Sequence, residues 1–532
     1  MAATSDTPPS ATESTDQTPA SAPPRKVWPL PKSAWLRLLI TLVALALMAC
    51  AYIPLGDALA TQTNLKPHKS DQSHNMKLAR IAKERAEWSI EESVGEALWQ
   101  WMPHYSEGVV QPLWPRIASN IADDDDHVFL AKGKSWNLWF SGIFLALLAV
   151  LLSLRWSPLA VINFTLIAGF GAFLPRSVYF QPEPIYYALF LLSFLCALGL
   201  IKRNPLWLYA VFGIVSSLAY LAKGSMGPAV MAFFLLTTYR FLAAVLPRLI
   251  GKAGLRPKSR WSWQNHILGT LLFAIAFLFI NGPSMSHRYE RFGSPTHSFP
   301  SYWMWMDSFE EGYVWMGNHN TREKLAAMKP EDKPSLGNYL ERHTPETAGR
   351  RLADGSWHQV ARFFNPKETK QPDKKDAALK PWREILPDRG LHFLLLALPM
   401  LALTAAGWWQ KAHIRRASKG TVNLKPWFEI GPQAIFLVGI FALYAMLHGW
   451  YTQVGDGERF MMALVAPMAL GLIAFSEKAL RRLRQSADTA EEAPTPRLAR
   501  TMTWVYLGCH LTLTALIVHR LWQLLQHPVF AS

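Results

Sequence analysis

The sequence predicts an all-α polytopic membrane protein of about 11 transmembrane helices, with two long outer-face segments that contain interfacial helices. Three observations carry this. Only 17% of the 532 residues are charged while 50% are hydrophobic, against a charged share of about 25% in soluble globular chains. The apolar residues gather in blocks of roughly 17–25, long enough to cross a hydrocarbon core about 30 Å thick. The basic residues fall in alternate connections between those blocks, as they do in cytoplasmic loops. A soluble multidomain enzyme is thereby excluded. The net charge of +16, from 54 Lys+Arg and 38 Asp+Glu, then orients a bundle and calls for no nucleic-acid partner.

Residues 1–32, rich in Ser, Thr, Pro and Ala, have too few large apolar side chains to offset chain entropy and read as a disordered cytoplasmic tail. Spans are expected near 35–56, 136–154, 158–175, 184–201, 205–222, 227–247, 264–281, 391–408, 429–448, 458–476 and 502–526. Threaded alternately, they put basic clusters at 25–32, 155, 202–203, 248–260, 411–419 and 478–484 on one side, which is then cytoplasmic. The other side receives 57–135 and 282–390 and the short turns 176–183, 223–226 and 449–457. The domains read as a transmembrane core over 33–281 including the loop 57–135, a periplasmic segment over 282–390, and C-terminal helices over 391–532. The expected location is a bacterial inner membrane, with the N-terminus cytoplasmic and the C-terminus outside. Cys50, Cys196 and Cys509 all fall in spans and imply neither disulfide nor zinc cluster. No phosphate-binding loop or dinucleotide fingerprint is present, which argues against an ATP-driven pump.

The outer connections hold the candidate chemistry. In the first, residues 70–83 read as an amphipathic interfacial helix with Asp71 near its start. The carboxylate is either a helix cap or a general base held just outside the membrane. Further on, Trp99, Trp101, His104, Tyr105 and Trp114 read as an interfacial belt, with 111–115 re-entering the bundle. The run Asp123–Asp126 lacks the Gly and terminal Glu of a calcium loop and reads as a solvated acidic turn. In the second connection Pro182 and Pro184 bracket Glu183, with Arg176 and Tyr179 on the same turn. In the third, Lys223-Gly224 precedes a helix start, which fits either a phosphate clamp or a snorkelling lysine with a glycine cap. Arg459 stands at another helix start and is a second phosphate candidate.

This order of elements on one side resembles the GT-C glycosyltransferases, in particular the branch containing protein O-mannosyltransferases and lipid A aminoarabinose transferases. Asp71-Gln72 with Ala79-Arg80-Ile81-Ala82 is similar to that branch's Asp-Glu…Tyr…Ile-Ala element, Gln72 standing for the second acid and His74 or Asn75 near the usual Tyr. Arg176 with Pro182-Glu183-Pro184, and Leu221-Ala222-Lys223-Gly224, are similar to its later elements. The likeness covers 35–281 and is thin over 282–390. It implies a polyprenyl-phosphate sugar donor, a hydroxyl acceptor on a glycan, lipid or protein, and inversion at the anomeric carbon. Asp71 would be the base and Glu183 a second catalytic carboxylate. Lys223, Arg459 and Arg176 would bind the donor phosphate, with His74 and Tyr179 at the substrate. No cofactor is implied, and a divalent metal is left open. The aromatic residues Trp303, Trp305, Tyr313 and Trp315 suit a sugar face and a membrane interface equally. The competing class is a transporter or flippase for lipid-linked sugars, whose mark is polar groups deep in the spans.

Overall fold

The computed structural model describes residues 33–68, 71–88, 102–249, 261–365, 385–417, 431–455, 459–489 and 494–526. The expected tail at 1–32 lies outside the described residues, as do Trp99, Trp101, Lys252, Arg256, Lys258, Arg260 and Lys419. Every regular element among the described residues is helical. Helix α1 (Ala34–Gln62) leads to two shorter helices, α2 (Asp71–Trp88) and α3 (Leu113–Ala118). The chain continues through α4 (Asp126–Ser153), α5 (Pro158–Ser177), α6 (Glu183–Arg203), α7 (Leu206–Ala222), α8 (Gly227–Leu249) and α9 (Trp263–Phe292). The helices α10 (Phe299–Trp303), α11 (Phe309–Asn318), α12 (Arg322–Ala326), α13 (Leu336–Arg342) and α14 (Pro345–Phe364) then form a layer against the bundle. The last group is α15 (Arg389–Ala417), α16 (Pro432–Trp450), α17 (Arg459–Met462), α18 (Val465–Thr489) and α19 (Pro494–Leu525).

Ten helices among the described residues are long and apolar enough to cross a membrane, which makes the chain a multi-pass membrane protein by length and composition. The remaining expected span, 205–222, is α7, apolar but only 17 residues long. At 1.5 Å per residue it rises about 26 Å. Asn204, in a left-handed conformation (φ 41°), ends α6 immediately before α7, and the extended backbone of Lys223 ends α7 itself. Several helices run beyond the spans read from the sequence, α15 to Ala417 and α18 to Thr489 among them. Helix α4 begins at Asp126 rather than near 136, and α9 continues past 281 to Phe292 with Pro283 inside it. Hydropathy falls where side chains turn polar, while the backbone ladder runs on because a helix satisfies its own N–H and C=O groups.

Three helices are central. Inside the bundle lies 83% of the apolar stretch of α5, and 67% of those of α6 and of α17–α18, against 22% for α1. Their side chains, among them Phe164, Phe173, Phe190, Leu464 and Ile473, make the core. Near its end α5 widens into a π turn over Gly169–Phe173, where Leu174 N–H bonds the carbonyl of Gly169. Pro175 follows, and its ring would crowd the carbonyl four residues back, so the wider turn relieves that contact. Helix α14 docks on α16 by direct backbone contact of Gly355 and Gly449, where any side chain would collide. Buried Arg351 bonds the carbonyls of Trp450 (2.9 Å) and Met304 (3.3 Å) beside that contact. The aromatic residues of this layer mostly pack on one another. Trp305 meets Trp450 and Tyr339, Trp315 meets Tyr302 and His319, and only Tyr313 of the four singled out is exposed.

Candidate functional site

Four of the singled-out residues, from positions 71 to 459, meet in one ion-pair cluster. Asp71 opens α2, and its carboxylate accepts from Arg459 Nη1 at 2.5 Å rather than from a helix N–H. Glu183 opens α6; its Oε1 receives Lys223 Nζ at 2.8 Å and lies 3.8 Å from Arg459 Nη1. The ends of α5, α7 and α16 and the starts of α2, α6 and α17 therefore share one end of the bundle. The charge distribution expects that end to face outward. Asp456, Gly457 and Glu458, which precede Arg459, lie outside the described residues.

Local chemistry explains each position. Pro182 and Pro184 fix the backbone around Glu183 at a helix start, where the helix dipole favours a carboxylate. The preceding turn is pinned from two sides. Asn137 Nδ2 donates to the carbonyls of Tyr179 (2.8 Å) and Gln181 (3.0 Å), and Gln72 Oε1 accepts the N–H of Phe180 (3.3 Å). The Phe180 ring lies against Gly133, a contact that leaves no room for a side chain there. Gln72 thus serves α2 as a hydrogen-bond acceptor for this turn. Lys223 ends α7, with its N–H on the carbonyl of Ala219 (2.9 Å), and its ammonium stands 5.0 Å from the Phe460 ring centre. Burial pulls the Lys223 ammonium below its usual range, with the Glu183 carboxylate opposing that shift. Arg459 is held through its own carbonyl, which accepts the Tyr187 hydroxyl at 2.9 Å.

The other three singled-out residues stand around this cluster rather than in it. Arg176 lies close enough to act electrostatically on Glu183, with its guanidinium 5.8 Å from the Tyr179 ring centre and its Nε on Met462 Sδ (3.3 Å). Tyr179 is half-buried on the pinned turn. His74 sits near Asp71 on α2, but its ring pairs with Glu107 at 3.3 Å. That hydrogen bond raises His74 above its ordinary value and takes Glu107 down to about 2.

The acidic run resolves into structure: Asp125 caps α4 through the N–H groups of His127 and Val128, and Asp126 pairs with Arg80. No group of three potential metal ligands occurs among the described residues. Trp114 is fully buried against Trp136 and Phe180, so 111–115 enters the bundle and Trp114 is no interfacial belt residue. Sequence reasoning missed several neighbours. His448, buried, stacks on Phe460, while Tyr186, Tyr444 and Ser225 form a hydroxyl cluster beneath Lys223. Arg288 is buried near the end of α9 and donates to Gln111. A polar residue buried in an apolar helix was the available signal, and His448 carried it. No protein-family model matches the chain, and no curated protein matches its sequence.

Proposed function

We propose that the chain is a membrane glycosyltransferase of GT-C type that moves a sugar from a polyprenyl-phosphate donor to a hydroxyl acceptor on the outer face of a bacterial inner membrane. The observation that carries this reading is the convergence of Asp71, Glu183, Lys223 and Arg459 at one end of the bundle. A lipid phosphate leaves without much protonation when cations take up its charge. Lys223 and Arg459 are suited to that, with Arg176 alongside. An acceptor hydroxyl does need a base, since its pKa lies far above neutrality. Asp71, the more exposed carboxylate, is the residue in a position to serve. Attack by the acceptor oxygen on the anomeric carbon, opposite the phosphate, forms the new glycosidic bond. The bond to the phosphate oxygen breaks, the hydroxyl proton passes to Asp71, and the configuration inverts.

An apolar groove between α1, α4 and α5, lined by Met48, Ile53, Trp139, Ile143 and Phe170, fits the donor's tail. Tyr52 on its wall bonds Ser141, which bonds Ser177 beside Arg176 (2.7 Å each), a polar path from the groove toward the cluster. The acceptor is a glycan, lipid or protein hydroxyl. The test is transfer in membranes supplied with polyprenyl-phosphate-linked sugars. Asp71→Asn is expected to keep expression and to lose turnover by about 10²–10⁴-fold; full activity would remove the base assignment. Lys223→Ala and Arg459→Ala are expected to raise the donor concentration needed.

One observation favours the alternative, a transporter or flippase for lipid-linked sugars. Glu477, at the expected cytoplasmic end of its span, accepts from Ser157 Oγ (2.5 Å) and Tyr506 (2.8 Å). Tyr506 packs on His510, buried within a span 3.0 Å from Asn163. Such groups line conduction paths as well as helix contacts. Under that reading Glu477→Gln abolishes lipid translocation in vesicles while Asp71→Asn spares it. The glycosyltransferase reading expects the reverse dependence, with transfer as the readout.

A further inference from the structure

Two buried polar atoms near Lys223 have no partner among the described residues. Glu183 meets Lys223 through Oε1, whereas its Oε2 accepts nothing from the described residues. His448 is 6% exposed and its Nε2 is likewise unpaired. Its ring lies flat on Phe460, with centroids 4.9 Å apart and 12° between planes, and Lys223 Nζ stands 5.0 Å from the Phe460 centroid. The Tyr444 ring packs on His448 at 5.6 Å, so the imidazole is wedged between two aromatic rings and its orientation is fixed. Buried polar atoms are almost always partnered, and each exception needs a reason.

The chemistry of the two atoms narrows what satisfies them. A carboxylate oxygen only accepts; an imidazole nitrogen donates or accepts according to tautomer. An anion does not suit Glu183 Oε2, and a cation would be repelled by the Lys223 ammonium that already pairs with Glu183 at 2.8 Å. A ring bearing neighbouring hydroxyls suits both, giving one O–H to the carboxylate and exchanging a second hydrogen bond with the imidazole. We infer that Glu183 Oε2 and His448 Nε2 form a hydroxyl-reading subsite that holds the sugar of the donor beside the phosphate position at Lys223. This rests on the lipid-linked-donor reading. It assigns His448 direct contact with substrate and gives the burial of Glu183 a purpose beyond its ion pairs.

The test compares two lipids on full-length protein in nanodiscs: bare polyprenyl phosphate, and the same lipid carrying a hexose or pentose. Wild type is expected to bind the sugar-bearing lipid about five- to tenfold more tightly, the worth of one or two hydrogen bonds. His448→Phe keeps a ring on Phe460 but loses the nitrogen. It should erase that preference and leave the affinity for the bare lipid unchanged. His448→Gln, which restores a donor and acceptor, should recover part of it and serves alone if the Phe variant does not fold. Equal weakening for both lipids, an unchanged preference, or no preference in wild type overturns the inference. Failure of wild type to bind either lipid overturns instead the donor reading on which it rests.

Discussion

Removing Glu183 should destabilise the protein more than removing Lys223, although the two form one ion pair. The side chains are 2% and 17% exposed and meet at 2.8 Å. At an effective dielectric near 20, two unit charges about 4 Å apart attract by about 4 kcal/mol. Breaking such a buried pair from one side costs about 3–5 kcal/mol, because the surviving charge stays buried without a partner. That full cost applies to Glu183→Gln, since Lys223 has no other carboxylate in ion-pair reach among the described residues. Lys223→Met is milder, since Glu183 keeps Arg459 at 3.8 Å, and about 1–3 kcal/mol is expected. The double variant should cost about 2 kcal/mol less than the sum of the singles, the usual sign of residues in contact. The assay is equilibrium unfolding of the three variants in lipid–detergent bicelles. A double variant that equals the sum of its singles, or a Lys223→Met loss larger than that of Glu183→Gln, refutes the reasoning.

Two further outcomes follow from the surroundings of the cluster. Gly133→Ala drives a methyl into the Phe180 ring. It should cost about 1–3 kcal/mol and lower transfer through the turn that carries Glu183, so unchanged stability and activity would show that the turn yields freely. The His74–Glu107 pair should act as a pH-limited latch between α2 and the 102–112 turn. Glu107 is depressed, so its contribution is complete above its ordinary 4.5 and is lost as pH falls toward 2; His74 is raised, so its contribution is complete below its ordinary 6.5 and is lost as pH rises through the raised value. Amide exchange of α2, corrected for its intrinsic rate, is therefore slowest between pH 4.5 and 6.5. Exchange that keeps slowing above pH 8, or a His74→Ala variant with the same profile, sinks this account.

The bundle was legible in the sequence because its cause is local. Each span is a run of apolar side chains bounded by Pro, Gly or charge, and ten of the eleven expected runs appear as helices of membrane-crossing length. Edges were less legible, as α4 and α9 show, because side-chain hydropathy and backbone pairing end in different places. The grouping of Asp71, Glu183, Lys223 and Arg459 was legible only as a common side of the membrane. That these four touch depends on the packing of α5, α6 and α17–α18, which no spacing records. His448 and Tyr444 were hidden for a related reason: polar residues one turn apart near the end of an apolar helix read as interface. Trp114 was misread because an aromatic residue in a loop looks the same whether it faces lipid or enters the bundle.

The two ion pairs of the cluster differ in a way that bears on how it works. Glu183–Lys223 is sealed by the bundle, and opening it strands charge in a place water scarcely reaches. Asp71–Arg459 is the looser pair, with side chains 41% and 29% exposed. Asp71 is also carried on a helix outside the spans. With two carboxylates against two cations, the four groups sum to zero, and a phosphate that takes Lys223 or Arg459 directly displaces a carboxylate from it. Displacement at Arg459 is the less costly, because the freed Asp71 returns to partial solvation whereas a freed Glu183 does not. Arg459 Nη1 occupies Asp71 Oδ2, and only once that contact opens can the oxygen accept from an acceptor hydroxyl. On the glycosyltransferase reading, the phosphate that supplies the leaving group also releases the base. The order of events follows: acceptor deprotonation waits on the donor, and an acceptor hydroxyl meeting the protein alone finds Asp71 still paired with Arg459.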